Sequence, residues 1–354
     1  MHYDIIIIGA GIAGISSAIE LRRADENLKI LIVDKCNFPR NKLCAGYLTD
    51  KSVELLKELG VEIEKINYSL IKGIKIIYKG KTRIQANNHG LYCQQLVDRT
   101  VLDYELFKQL EKNNIEVREN VKVNDLDEGG SSITLNNVTH YFNHIIFADG
   151  ELGYSSKFNT ENKRYIAMQL NFKRESLPKV DMYFGLTKKG YAWHAGSGDY
   201  INVGFCDIYN EKTDYKSIFE TFIKNLGYES ELHQNKTRGF YVPYGLKKNR
   251  IINNIYLVGD AAGLVDPLTL AGVSYAILSG KYAAKSIINH NNSEYLNYTK
   301  KVQFKFRILK LLAVLLYNPF TMRFVMRIGG HFFGKPFSYI LDKFVLNKKG
   351  SFHE

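Results

Sequence analysis

The sequence predicts an α/β chain, α+β overall: a parallel-sheet domain assembled from separated pieces, an antiparallel sheet inserted into it, and a helical C-terminal segment. Three observations predict this. An apolar strand runs into a glycine-rich turn and a helix within the first 34 residues. Apolar strands ending in Asp149-Gly150 and Gly259-Asp260 return much later. Between them, residues 165–207 read almost entirely as strand and turn.

Tyr3-Asp4-Ile5-Ile6-Ile7-Ile8 is the continuous apolar run of a strand buried on both faces. Gly9-Ala10-Gly11-Ile12-Ala13-Gly14 follows, a G-x-G-x-x-G, and then apolar residues at helical spacing. A second strand over 29–33 closes on Asp34, twenty residues past the third glycine. In such a βαβ unit Gly9 permits the tight turn, Gly11 admits a pyrophosphate to the backbone, and Gly14 lets helix and strand pack closely. The helix N-terminus favours the phosphates, and Asp34 is positioned for a ribose hydroxyl. The unit is therefore Rossmann-like and binds a dinucleotide, NAD or FAD.

A chain of 354 residues is long enough for two cores, since single cores stop growing at about 250–300 residues. Hydrophobic content of 45% and charged content of 24% are those of a soluble globular protein. Cys36, Cys44, Cys93 and Cys206 form no C-x-x-C pair and no metal-type cluster, so neither a disulfide framework nor a metal site is expected. The apolar N-terminus lacks a basic leader and serves as the first strand, so a cytoplasmic location is expected. The net charge of +12 comes without a nucleic-acid motif, which argues against that partner. An anionic substrate, an anionic membrane surface and a plain solvated basic face all remain open.

Along the chain, residues 36–48 read as a basic loop containing Pro39 and Gly46, followed by a helix over 52–59 and a hairpin over 73–85 turning at 79–81. A helix over 104–112 takes Asp103 as its N-cap. Short strands over 115–118, 122–126, 133–135 and 140–142 turn at 128–130 and at Asn136-Asn137. Four further strands, 166–172, 180–186, 190–194 and 200–206, precede a helix over 218–226 and a strand over 239–242. Gly259-Asp260 follows another apolar strand, and a small-residue helix spans 272–288. The division expected is a nucleotide domain at 1–62, 92–157 and 251–292. A sheet domain takes 63–91 and 158–250, and a helical segment takes 293–354.

The order of these motifs resembles the flavoprotein class typified by p-hydroxybenzoate hydroxylase, and within it the geranylgeranyl reductase family. The resemblance runs through about Ile288. Four stretches carry it: Phe38-Pro39-Arg40-Asn41-Lys42-Leu43-Cys44-Ala45-Gly46, Tyr191-Ala192-Trp193, Gly259-Asp260-Ala261-Ala262-Gly263 and Pro267-Leu268-Thr269. It implies an antiparallel-sheet substrate domain and FAD as the cofactor, with Gly9, Gly11, Gly14 and Asp34 on the ADP half. Arg99 would lie near the pyrophosphate and ribityl chain, and Asp260 at the ribityl chain and phosphate. Cys44 would sit near the isoalloxazine with Ala45, as the catalytic candidate; the alternative for Cys44 is a small buried hydrophobe. Arg40 and Lys42 would face cofactor phosphates, an anionic head group, or solvent. A helix starting at Gly272 would aim its positive end at the flavin.

Tyr191 and Trp193 would line a lipid pocket, Trp193 having core packing as its alternative. Two departures bear on the substrate. The family pattern continues Tyr-x-Trp into Phe-Pro-Lys, where this chain has Ala195-Gly196-Ser197 after His194. The family's Gly-Glu-Gly after Pro-Leu-Thr is here Leu270-Ala271-Gly272. The activity implied is hydride transfer from reduced flavin to a polyprenyl carbon–carbon double bond. The electron donor is left open between NADPH and a reduced ferredoxin-type carrier; without a second dinucleotide fingerprint, NADPH would bind transiently or be replaced by the carrier. Rival readings are an aromatic monooxygenase, a halogenase, and a flavoprotein without turnover. The basic-apolar tail suits either a helix lying on an anionic membrane or one completing the core.

Overall fold

The computed structural model describes residues 1–71, 73–78, 81–87, 94–127, 129, 131–159, 163–318 and 320–323. The first stretch of chain forms β1 (His2–Ile8), α1 (Ile12–Ala24), β2 (Ile30–Val33), β3 (Tyr47–Leu48) and α2 (Asp50–Glu58). Then come β4 (Tyr68–Ile71), β5 (Gly73–Tyr78), β6 (Lys81–Asn87), β7 (Gln94–Val97) and α3 (Arg99–Lys112). Strands β8 (Glu116–Arg118), β9 (Val123–Leu126), β10 (Ser132–Leu135) and β11 (Val138–Phe147) lead to the long β12 (Arg164–Phe184) and β13 (Ala192–Ile208). Last are α4 (Tyr215–Asn225), α5 (Glu229–Gln234), β14 (Arg238–Pro243), β15 (Ile251–Ile252), β16 (Ile255–Leu257), α6 (Val273–Ile288) and α7 (Ser293–Tyr317).

The largest sheet runs β15-β16-β11-β1-β2-β8, with β16, β11, β1, β2 and β8 parallel. Chain growth reverses direction at β1, with β2 on one side and β11 on the other, so the carboxyl ends there open into a crevice. Gly9, Asp34, Asp149 and Gly259 all follow those ends. Ile5 to Ile8 are at most 6% exposed, which is why this strand alternates so little. Helix α1 packs on it closely because a β-carbon at Gly14 would stand 1.9 Å from the Gly9 carbonyl oxygen. Helix α6 crosses α1 just as closely: a β-carbon at Gly280 would lie 2.5 Å from the Ala13 carbonyl oxygen, and the Ser16 hydroxyl donates to the Ile277 carbonyl at 2.8 Å.

The second sheet holds β13, β12, β5, β6 and β14. The four separate strands expected over 166–206 are two long strands whose pairing shifts register between Lys173, Ser176 and Lys179. The hairpin folds back on itself, so the Cys206 N–H donates to the Tyr191 carbonyl at 2.8 Å. The far edge of β12 is shared, β14 pairing with Arg164–Gln169 and β5 with Val180–Phe184. The β5 pairing is parallel in an otherwise antiparallel sheet, since β5 arrives by a long crossover and not by a hairpin. Side chains alternate across β13: Ala192, Ile201, Val203 and Phe205 pack under α4, while Tyr191, Trp193, Ala195 and Cys206 face the other way.

Two further features depart from the sequence expectation. Helix α3 starts five residues before 104, capped by Asp98, whose carboxylate accepts the Thr100 N–H at 2.7 Å. Asp103 is not the cap; it lies inside the helix and pairs with Arg99 four residues back. A third sheet, β3-β7-β4, was not expected, its strands of two to four residues being too short to carry periodicity. The Asn136-Asn137 turn has both φ values positive, 45° and 66°, as a tight hairpin requires. The turns at 79–81 and 128–130 and the end of the tail lie partly or wholly outside the described residues.

Candidate functional site

Backbone constraint comes first. Gly9 has φ +106°, and a β-carbon there would meet the Ala148 carbonyl oxygen at 2.5 Å. Gly11 differs: a β-carbon would meet only Arg40 Nη2, at 3.4 Å. The middle glycine thus leaves an open, cationic space above the α1 N-terminus, as a pyrophosphate needs. Asp34 is buried, and its two carboxylate oxygens accept the Ala10 and Cys36 N–H groups, each at 2.9 Å. Each oxygen keeps a lone pair for a ribose hydroxyl. Arg40 Nη2 stands 3.8 Å from the Asp34 carboxylate, and its guanidinium lies 4.9 Å over the Phe38 ring. The Arg40 Nε is buried without a protein partner.

Beside this cradle, the Arg99 guanidinium is buried and grips Asp103 through two bonds of 2.8 and 3.0 Å. Burial works to discharge it, but the Asp103 carboxylate and the Cys44 sulfur outweigh burial and keep it charged. Cys44 is partly exposed, near enough to Arg99 to act on its charge, and its sulfur accepts the Gly46 N–H at 3.4 Å. Gly46 is held on β7: its carbonyl accepts the Val97 N–H at 3.0 Å, and its φ of +78° brings it too near Val97 for a β-carbon. The structure therefore joins Cys44 to Arg99 across 55 residues of chain.

Gly259 takes φ +58° and donates its N–H to the Ser279 hydroxyl at 3.0 Å, which fits the single turn Gly259–Ala262 against α6. Asp260 is half-buried there, and a β-carbon on Gly272 would come within 3.7 Å of its Oδ1. Gly272 is the N-cap of α6 and carries no side chain to satisfy its first N–H groups. Asp260 and Gly272 thus meet at the positive end of α6.

Tyr191 and Trp193 are both buried, ring centroids 6.0 Å apart at 55°. The Tyr191 hydroxyl donates to the Thr269 carbonyl at 2.5 Å, and burial drives its pKa well upward. The Trp193 indole N–H donates to Asn202, and its ring lies on Gly204, where a β-carbon would stand 2.2 Å from Cζ2. These two rings share one apolar cluster with Phe184 and Val265, against which Ala45, Leu270 and Tyr317 also pack. Ala45 from the basic loop and Leu270 from the loop after Asp260 therefore both pack on the cluster that holds these rings.

Sequence reasoning passed over His194. It points away from Trp193, its Nε2 lying 3.2 Å from the Tyr228 hydroxyl and its Nδ1 3.8 Å from Asp181. Burial, with Lys179 nearby, lowers its pKa to about 4. It also passed over Asp266, Tyr165 and Tyr317. Only contacts between distant segments mark these three.

Residues 3–180, half of the chain, match the family described as pyridine nucleotide-disulphide oxidoreductase. The chain belongs to that family. It is an FAD-dependent oxidoreductase, and its open Gly11 cradle, buried Asp34 and unpartnered Arg40 Nε suit the nucleotide. The expected likeness to geranylgeranyl reductases is borne out. A digeranylgeranylglycerophospholipid reductase of Methanococcus vannielii is 26% identical over 82% of this chain and 79% of its own. An uncharacterized protein of Methanosarcina barkeri is 29% identical over 80% of this chain and 74% of its own. Among solved structures, a geranylgeranyl bacteriochlorophyll reductase-like protein from Thermoplasma acidophilum superposes with TM-score 0.72, at 19% identity over 96% of this chain and 99% of that one. A triple mutant of the flavin-dependent brominase Bmp2 reaches TM-score 0.75, at 17% identity over 98% of this chain and 94% of that one. The fold is thus shared with flavoproteins of several chemistries.

Proposed function

We propose that this flavoprotein reduces carbon–carbon double bonds in a polyprenyl lipid of the geranylgeranyl type. The observation that carries the reading is that Ala45 and Leu270, from the two loops assigned to the cofactor side, both pack on the apolar cluster that holds Tyr191 and Trp193. That face would seat an apolar chain against the flavin. FAD, when bound, supplies the two-electron carrier, taking electrons from NADPH or a ferredoxin-type protein and passing hydride to carbon.

The chain's own residues have distinct tasks in this reading. Gly9, Gly11, Gly14 and Asp34 hold the ADP half, and Arg40 balances phosphate charge. Arg99, kept cationic by Asp103, and Asp260 hold the ribityl and pyrophosphate portion. The α6 N-terminus at Gly272 steadies negative charge on the reduced ring. Cys44 and Ala45 border the ring, while Tyr191 and Trp193 exclude water from the chain. The nucleotide domain would comprise 1–62, 92–157 and 251–292, and the substrate sheet 63–91 and 158–250.

Helix α7 supports contact with a membrane surface. Phe304, Leu311, Val314 and Leu315 are exposed on it beside the exposed Lys301 and Arg307. No helix of the described residues is long and apolar enough to cross a membrane.

The test is anaerobic. The flavin of the purified protein is reduced, a geranylgeranyl lipid is added, and reoxidation is followed by absorbance. Reoxidation with a product heavier by about two mass units per bond supports the reading. Flavin that stays reduced until oxygen enters, with substrate then hydroxylated, replaces it with a monooxygenase.

A further inference from the structure

The loop that follows the Gly259–Ala262 turn is held more tightly than a surface loop requires. Its three successive carbonyls, of Pro267, Leu268 and Thr269, accept hydroxyls from Tyr165 at 2.7 Å, Tyr317 at 2.7 Å and Tyr191 at 2.5 Å. These tyrosines come from β12, from the end of α7 and from just before β13. From within the loop, the Asp266 Oδ1 accepts the N–H groups of Leu268 and Thr269 at 2.8 and 3.1 Å. Asp266 also pairs its own N–H with the Ala271 carbonyl, and its carbonyl with the Leu270 N–H, each at 2.9 Å. The loop ends in Leu270 at φ +57°, a left-handed conformation that a leucine adopts only where its surroundings dictate it.

Asp266 is 1% exposed, and its Oδ2 has no hydrogen-bond partner. The opposing charge is that of Lys305 on α7, itself largely withdrawn from water. Burial raises the pKa of Asp266 and lowers that of Lys305, while each also acts to restrain the other's shift. An asparagine could cap the same two N–H groups without burying a charge. A buried carboxylate costs desolvation, and buried charges of this kind are best attested where a geometry must be specified.

We propose that Asp266, which caps the loop from within, and Tyr317, through which α7 grips it, are positioning residues that fix the Asp266–Leu270 loop against the flavin. This rests on the reading of the flavin site given above. Neither residue is asked to touch the reacting atoms. Their task is to hold Leu270, which packs on the Tyr191–Trp193 cluster, and the approach to Gly272 in one conformation. The terminal helix is then part of the redox site's frame and more than a cover for the core.

The experiment uses the full chain loaded with FAD and compares wild type, D266N, Y317F and, as a remote control, Y141F. Asp266→Asn keeps an oxygen for both N–H groups and removes the charge; Tyr317→Phe keeps the ring and removes one hydroxyl. The readouts are the visible flavin spectrum, the flavin midpoint potential and the dissociation constant for FAD. D266N and Y317F should each shift the flavin bands and the potential and weaken FAD about threefold to tenfold, with Y141F unchanged. D266N and Y317F proteins that keep their circular dichroism, yet match wild type in spectrum, potential and affinity, overturn the proposal. If D266N does not fold, Y317F carries the same decision. None of these readouts uses a lipid. Shifted flavin bands in a protein that fails to reduce geranylgeranyl lipid would sink the substrate reading and leave the positioning role standing.

Discussion

The cradle around Gly9–Gly14 and the aromatic face around Tyr191 are built in opposite ways. In the cradle, what matters is missing side chains: a β-carbon at Gly14 would overlap a backbone oxygen at 1.9 Å, and nothing but an arginine tip approaches Gly11. At the aromatic face, what matters is bulk, with Tyr191, Trp193 and Phe184 gathered from one strand pair and joined by Leu270 and Tyr317 from far along the chain. A backbone-defined site tolerates almost no substitution but accepts many chemistries above it. A bulk-defined site can be reshaped one side chain at a time. This accounts for a fold shared with reductases and a brominase alike.

That contrast can be broken in order of force. Gly14→Ala should have the largest effect, because the clash is with backbone and no rotamer relieves it. Loss of FAD from the purified protein and a collapse of thermal stability are expected, read by flavin absorbance and melting temperature. Tyr191→Ala should weaken FAD no more than the about tenfold expected from losing its bond to the Thr269 carbonyl, and equal flavin loss in both variants would erase the distinction.

Next is Arg99→Met, which leaves Asp103 buried without its partner. A destabilisation of about 3–5 kcal/mol in urea unfolding is expected, with the Arg99/Asp103 pair replaced by two apolar residues recovering most of it.

The third effect depends on pH. His194 has its folded pKa depressed to about 4 by burial, while the unfolded chain takes up the proton near the ordinary 6.5. The stabilisation is therefore complete above pH 6.5 and is lost as pH falls toward 4, by at most about 3 kcal/mol. His194→Gln should flatten the slope of unfolding free energy between those values without altering the flavin spectrum, since His194 faces away from Trp193. Tyr191→Phe should be the mildest, costing about 1 kcal/mol for the bond to Thr269 and raising KM for an apolar substrate more than it lowers kcat.

The two regions also differ in how far they could be read from residues alone. The cradle is contiguous: strand, three glycines, helix, strand and Asp34 lie within one stretch, and each has a local reason to be where it is. Arg99 was identified but its partner was not, because Asp103 suits a helix cap as well as an ion pair, and Asp98 takes the cap. The pairing of Cys44 with Arg99 runs through the two-residue strand β3, too short to leave a pattern. The tyrosine bonds to the Pro267–Thr269 carbonyls are invisible to periodicity, for they join β12, β13 and α7 across the fold. His194 was passed over because alternation along β13 sends it to the face opposite its neighbour.

The divided edge of β12 bears on how the chain is made. Synthesis must reach about residue 243 before β14 can cover the first half of that edge, and about residue 257 before β16 can close on β11. Until then Ile145, Ile146 and Phe147 present an apolar strand edge to whatever is nearby. A nascent chain stalled between these points is the form most prone to associate with its own copies, so its yield should respond to translation speed and chaperone supply more than the finished protein's stability would suggest.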